Sequence, residues 1–198
     1  MTASTARWFG RSLLVVAAAL ASACTDDAPV APAGATSAQR VAAGADVSNG
    51  NRFPDLPAGC EKLAAPVGST LVFRALGIGV QIYRWDGASW IFVNPSATLY
   101  ADVGAHAKVA DHFGGPTWKS NSGGSVVGTV ADRCTPDAAS IPWLSLTAVA
   151  DGPGVFQNVK FIQRLNTVGG NAPSVPGTVV GQPAEVPYTA DYLFYQTP

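Results

Sequence analysis

Residues 80–93 read VQIYRWDGASWIFV, two runs of β-branched and aromatic residues on either side of a short polar break. Asp86 and Gly87 in that break tolerate the positive φ angles that a tight hairpin requires. The stretch therefore predicts two antiparallel strands, 80–85 and 89–93, joined by a hairpin turn.

Four further segments, 125–131, 143–150, 155–165 and 190–196, have the same composition and are bounded by turn-forming residues. In 155–165, alternation predicts a half-buried strand, with one apolar face (Val155, Val159, Phe161, Leu165) and one polar face (Asn158, Lys160, Arg164, Asn166). No segment shows a helical period. The sequence predicts one all-β domain, an antiparallel sandwich or a barrel, with the strand pairing unresolved.

The N-terminal residues resemble an export signal. Arg7 and Arg11 precede an apolar run from Leu13 to Leu20, and small residues then lead to Cys24, as in a bacterial lipobox. An ordinary secretory signal cut near Ala23 is the alternative. We expect a lipoprotein signal peptide at 1–23, a flexible Ala/Pro/Ser/Thr-rich tether at 24–52 and the β-domain at 53–198. By resemblance to Gram-negative sorting, lipidation of Cys24 predicts an outer-membrane lipoprotein facing the periplasm or the surface, and otherwise a secreted protein.

The two cysteines after Cys24 and the net charge of the chain indicate its compartment and its possible partners. Cys60 and Cys134 are most simply one disulfide in an oxidising compartment. Without Arg7 and Arg11, ten basic residues remain against 13 acidic ones, with no basic run. Nucleic acid is therefore not an expected partner. The stretch GIGVQI lacks the third glycine of a dinucleotide fingerprint, so we expect no cofactor.

Residues 111–118, DHFGGPTW, combine bend chemistry with a histidine. The two glycines and Pro116 favour a sharp bend, after which Trp118 begins a strand. His112, at the lip of that bend, is either tied structurally to its loop or contacts a ligand. A metal site shared with His106 and Asp111 would have weak spacing, and no metal is predicted.

The last two strands supply the other candidate residues. Alternation places the polar Gln163 on an apolar face, where it either locks the core or lines a pocket. Asp191 shares a face with Tyr195, and could pair with Arg164 or Arg84 or accept a hydrogen bond from a ligand. The tyrosines there suit a core, and they also suit stacking on sugar rings. The candidate ligand-binding residues are His112, Trp118, Gln163, Arg164, Asn166, Asp191 and Tyr195.

Five blocks of sequence together carry a family resemblance: GVQIYRW, HFGGPTW, IPWLSL, FIQRLNTVGG and VPYTADYLFY. In this order they resemble the secreted bacterial and fungal family catalogued as domain of unknown function three-four-five-five. Typical members carry cysteines at the position of Trp85 and near Gly177, whereas this chain has Cys60 and Cys134. The resemblance implies an exported β-domain without an established activity.

Three functional hypotheses follow from the sequence. The leading one is a non-catalytic, membrane-tethered module that binds a small molecule, a glycan or a partner surface. The second is a cofactor-free hydrolase or isomerase, with His112 as general base and Asp191 or Asp111 orienting it. The third is a structural module that assembles through an exposed sheet edge. The sequence does not indicate the oligomeric state.

Overall fold

A computed structural model of the chain describes residues 54–198. Within these residues, eight antiparallel strands form one sheet closed into a barrel, and the only helical element is a 3-10 turn at Glu61–Leu63. The strands are β1 (Thr70–Trp85), β2 (Trp90–Tyr100), β3 (Lys108–Phe113), β4 (Thr117–Ser120), β5 (Ser125–Cys134), β6 (Trp143–Asp151), β7 (Phe161–Gly169) and β8 (Pro183–Gln196). The predicted all-β class is confirmed, and the chain adopts the barrel.

Several predictions concern residues that precede this part of the chain. The signal peptide 1–23, the lipidation site Cys24, the tether 24–52 and Phe53 lie outside the described residues. Among residues 54–198, no helix is long and apolar enough to cross a membrane.

The strands follow one another around the barrel in chain order. Each pairs antiparallel with the next, and β8 returns to pair with β1 along its whole length, from Thr70 opposite Gln196 to Arg84 opposite Pro183. Closure gives every described strand a partner on both sides over part of its length, whereas residues 90–96 of β2 pair with β1 alone. The hypothesis of assembly through a sheet edge is therefore restricted to such segments within residues 70–196.

The hairpin predicted from 80–93 is present, with the amide of Asp86 donating to the carbonyl of Ser89 over 3.1 Å. Strand β1 begins ten residues earlier than predicted, because a glycine-containing stretch that disguised the strand pattern is part of it. The prediction of one half-buried strand over 155–165 is wrong. β7 begins at Phe161, after a turn in which Asn158 has a φ of 62°, and both of its faces are covered.

The barrel interior holds the larger of two cores. Small residues on some strands make room inside the barrel for large aromatic rings from other strands. At Gly77, for example, an added Cβ would lie 2.5 Å from Cε2 of Tyr192. An eight-stranded barrel is just wide enough to be filled in this way. The buried members include Ala75, Ala97, Leu99, Ala110, Trp118, Val126, Leu146, Phe156, Ile162, Tyr188, Ala190, Tyr192 and Phe194.

The second core lies outside the barrel, between strands β7 and β8 and the segment 56–65 that precedes β1. We call it the outer core; it consists of Cys60, Leu63, Phe161, Leu165, Leu193 and Tyr195, with Leu56, Ala65, Leu71, Cys134 and Trp143 at its margin. The predicted disulfide Cys60–Cys134 is present and ties this segment to the end of β5. The outer face of β7 is therefore apolar because it is also covered.

Candidate functional site

Polar and aromatic side chains meet inside the barrel, near one of its ends. At this end, which we call the mouth, lie the β1–β2 hairpin, the β3–β4 turn and the loops 135–142 and 170–182. Strands β1, β3, β4, β7 and β8 all contribute to the group. We call it the inner polar cluster; it consists of Gln81, Tyr83, His112, Trp118, Arg164, Tyr188 and Tyr192.

His112 lies in this cluster as a buried, neutral ring. It is 3% exposed, it stacks on Trp118 with ring centres 4.3 Å apart, and the edge of Tyr192 meets it at 5.3 Å. Its Nδ1 lies 2.9 Å from the carbonyl oxygen of Thr117. Because a carbonyl can only accept, Nδ1 carries the hydrogen. Burial lowers the pKa of His112 from 6.5 to about 3; the Thr117 hydrogen bond opposes this shift and the charge of Arg164 adds to it.

Two tyrosines of β8 continue the cluster. The hydroxyls of Tyr188 and Tyr192 lie 3.0 Å apart, and both side chains are buried. Burial raises the pKa of each phenol, and the positive charge of Arg164 opposes the shift in both. Tyr83, whose hydroxyl donates to the carbonyl of Gly170 over 2.7 Å, has its pKa raised by burial in the same way. All three phenols are therefore neutral at physiological pH and act as hydrogen-bond groups.

Arg164 is the cation of the cluster. Strand pairing sets it between Leu144 and Tyr192, and its Nη2 donates to the carbonyl of Pro142 over 2.8 Å. The residue is half-buried, and within residues 54–198 it takes part in no ion pair. Its Nε is buried without a hydrogen-bond partner. A guanidinium withdrawn from water without a counter-ion is costly, so this position calls for an explanation.

Two further donors of the cluster are also unpartnered. Nε2 of Gln81 and Nε1 of Trp118 are buried and have no hydrogen-bond partner, although the residues are only 3% and 1% exposed. Nearly all buried polar groups in folded proteins are hydrogen-bonded. Three unmet donors in one cluster therefore call for an explanation.

The candidate residues predicted from the sequence fall into three places. His112, Trp118 and Arg164 come together in the inner polar cluster. Gln163 and Tyr195 lie in the outer core, where Gln163 Nε2 donates to the carbonyl of Leu63 and the Tyr195 hydroxyl donates to Gln163 Oε1, each over 2.6 Å. Both polar atoms of Gln163 are thereby hydrogen-bonded, as the core-locking role requires, and Gln163 also lines an apolar cavity beside the segment 54–68.

Asn166 and Asp191 form a third group on the outer side of the barrel. The two carboxylate pairings considered for Asp191 are wrong: it pairs with Arg74 at 2.9 Å, and neither Arg164 nor Arg84 reaches it. The amide of Asn166 donates to the same carboxylate over 2.8 Å. A register shift in β7, where Asn166 takes a φ of 51°, turns this side chain toward Asp191. Neither residue faces His112.

The geometry that the general-base hypothesis needs is not found in the described residues. His112 hydrogen-bonds only to backbone, Asp191 lies on the other side of the wall, and Asp111 pairs with Lys108 at 2.9 Å. A neutral imidazole with a pKa of about 3 is also a weak base at neutral pH. No group of three His, Cys, Asp or Glu side chains in residues 54–198 could hold a metal ion.

Four residues of the cluster were missed as site residues: Gln81, Tyr83, Tyr188 and Tyr192. The signal that could have found them is the two-residue period of their strands. Gln81 and Tyr83 follow Gly77 and Gly79 on the inner face of β1, and Tyr192 alternates with Tyr188 and Phe194 in β8. Alternation does not reveal which face of a strand is the inner one, because in β7 and β8 both faces are buried.

The protein is a closed, eight-stranded up-and-down β-barrel. Its filled interior carries a polar cluster near one mouth. The chain belongs to the family of proteins of unknown function DUF3455, whose model matches residues 66–196. The expected family membership is confirmed. No curated protein and no solved structure matches the chain.

Proposed function

We propose that this protein is an exported, lipid-anchored barrel domain that binds a small molecule at the mouth of the barrel, through the inner polar cluster. The observation that carries the proposal is Arg164. Arg164 is half-buried within the inner polar cluster, its Nε is buried without a partner, and no described carboxylate pairs with its guanidinium. A protein module without a bound molecule has no structural need for such a group, since a hydrophobic side chain of similar volume would fill the same space.

The surroundings of Arg164 support binding rather than a purely structural role. In the outer core, both polar atoms of the buried Gln163 amide have a hydrogen-bond partner. In the inner polar cluster, three donors lack partners although the rest of the interior is closely packed. Small-molecule sites are mostly apolar with a few converging polar groups, and the cluster has this composition.

Export and anchoring rest on the N-terminal sequence. The charged start, short apolar run and small residues before Cys24 support a lipoprotein signal, and the polar segment that follows supports a tether. The proposed location is the outer membrane.

The binding proposal is tested by thermal unfolding of residues 54–198 with a panel of small metabolites and short glycans. Compounds that occupy the mouth should raise the melting temperature of the wild-type protein and leave that of an Arg164→Met variant unchanged. Arg84→Met is the matched control, because Arg84 is exposed at the same end of the barrel. If the compounds that stabilise the wild type stabilise Arg164→Met equally, the mouth is not the site.

The anchoring proposal is tested by mass spectrometry of the full chain expressed with its own N-terminus in a Gram-negative host. The expected mature protein begins at Cys24, carries acyl chains on that residue and fractionates with the outer membrane. A Cys24→Ser variant should remain unprocessed or become soluble. A mature wild-type protein with a free thiol at Cys24 would refute the anchor.

A further inference from the structure

We propose that the molecule taken by the inner polar cluster is a small organic monoanion, whose carboxylate pairs with the guanidinium of Arg164. The inference deepens the proposed function and rests on it, since it names the chemical class of the ligand for the same site. It follows from which groups of the cluster lack partners and from the charge that they carry.

Every unpartnered atom in the cluster is a donor. Arg164 Nε, Gln81 Nε2 and Trp118 Nε1 each carry hydrogen and are buried without a hydrogen-bond partner. The hydroxyls of Tyr192 and Tyr188 lie beside Arg164 and Gln81. The hydroxyls of Tyr188 and Tyr192 share one hydrogen bond, in which only one of them donates, so the other keeps a hydrogen to give. A ligand that satisfies these groups must bring acceptor oxygens.

The charge of the cluster calls for one negative charge. Arg164 is its only permanent cation, and His112 is neutral because of its burial. The four acidic residues in described ion pairs, Asp102, Asp111, Asp132 and Asp191, have partners other than Arg164. One uncompensated positive charge matches a carboxylate better than a doubly charged phosphate, which would leave an excess negative charge in an apolar interior.

The shape of the guanidinium favours the same group. A planar carboxylate meets the planar fork of arginine through two parallel hydrogen bonds, and Nε is one of the two donors in a common form of this pair. In Arg164, Nη2 is engaged with the carbonyl of Pro142 whereas Nε is unpartnered. The residue keeps part of its surface in contact with solvent, whereas Nε itself is buried.

The experiment uses matched pairs of probes that differ in charge and little in shape: formate and formamide, acetate and acetamide, benzoate and benzamide. Binding to residues 54–198 is measured by calorimetry and by NMR titration of the Arg164 Nε and Trp118 Nε1 protons, at constant ionic strength. For at least one pair, we expect the carboxylate to bind 10-fold or more tightly than the amide. At about 100 times its Kd it should raise the melting temperature on the order of 10 °C.

Three variants separate the possible outcomes. Arg164→Met should lose the carboxylate preference, Arg164→Lys should keep a weakened preference because the charge remains without the fork, and Arg84→Met should behave as the wild type. Circular dichroism establishes that each variant is folded. If the carboxylates act equally on the wild type and on Arg164→Met, their effect is a general salt effect and the inference is contradicted.

The failures of the two proposals are distinguishable. If the amides bind as tightly as the carboxylates and Arg164→Met weakens both, the mouth is a binding site and the monoanion class is wrong. If neither set of probes binds and no compound of the metabolite panel depends on Arg164, the proposed binding function itself is refuted.

Discussion

Gln163 and Arg164 are neighbours in the sequence, yet they lie on opposite faces of β7 and in opposite situations. Gln163 is buried in the outer core with both its amide groups hydrogen-bonded, to Leu63 and Tyr195. Arg164 is half-buried in the barrel with its charge uncompensated and its Nε unpartnered. A buried polar group whose needs are met stabilises one fold, whereas one whose needs are unmet marks a place for something else. This contrast separates the structural core from the proposed site.

The largest expected effect concerns the outer core. Replacing Cys60 and Cys134 together by serine removes a cross-link between residues 74 positions apart. The chain-entropy model predicts a loss of about 4 kcal/mol in the free energy of unfolding, measured by chemical denaturation. Carboxylate binding at the mouth should persist in the folded fraction, because the disulfide does not touch the inner polar cluster. Loss of binding in folded protein would mean that the two regions are coupled.

The next effect tests Gln163. Changing Gln163→Leu keeps the side-chain volume but removes the amide that binds the carbonyl of Leu63 and the hydroxyl of Tyr195. We expect the free energy of unfolding to fall by about 3 kcal/mol. Adding Tyr195→Phe changes the second side chain of the same hydrogen bond, so the two losses should be less than additive. A Gln163→Leu variant as stable as the wild type would show that the outer core does not depend on this network.

An intermediate effect concerns His112 and pH. Its pKa in the folded protein is lowered to about 3, below the unfolded value of 6.5, so the unfolded chain binds the extra proton first on acidification. Stability should therefore fall as the pH drops below about 6.5, by about 2 kcal/mol between pH 6.5 and pH 5. Carboxylates contribute mainly below this window. His112→Asn should flatten the profile. A wild-type profile that is flat over this window would contradict the burial of a neutral His112.

The smallest effect is the most informative about function. Arg164→Met removes the hydrogen bond to Pro142 and also removes an uncompensated charge, and the two changes oppose each other. We expect the unliganded protein to change in stability by no more than about 1 kcal/mol in either direction, while carboxylate binding is lost. A loss comparable to that of Gln163→Leu would indicate that Arg164 is a structural group like its neighbour.

The inner and outer sides of the last two strands could be predicted only in part. The two-residue period correctly separated Gln163 from Arg164, and Asp191 from Tyr192. The period does not reveal that the apolar face of β7 points away from the barrel interior. The segment 56–65 covers that face from outside. That segment has no periodic pattern, so its packing against β7 leaves no local signal. For the same reason, the sequence grouped Asp191 with His112 although the barrel wall separates them.

The sequence by itself determined the class of fold, the family and the disulfide. Alternating β-branched residues, turn-forming residues between them and a pair of cysteines are local properties that the printed chain contains. Only the tertiary structure decided that the sheet closes, that two cores form, and that His112, Trp118 and Arg164 meet while Gln163 and Asp191 lie elsewhere. The physical reason is that closure pairs β1 with β8 across the whole length of the chain. Which groups then find hydrogen-bond partners depends on residues far apart in sequence.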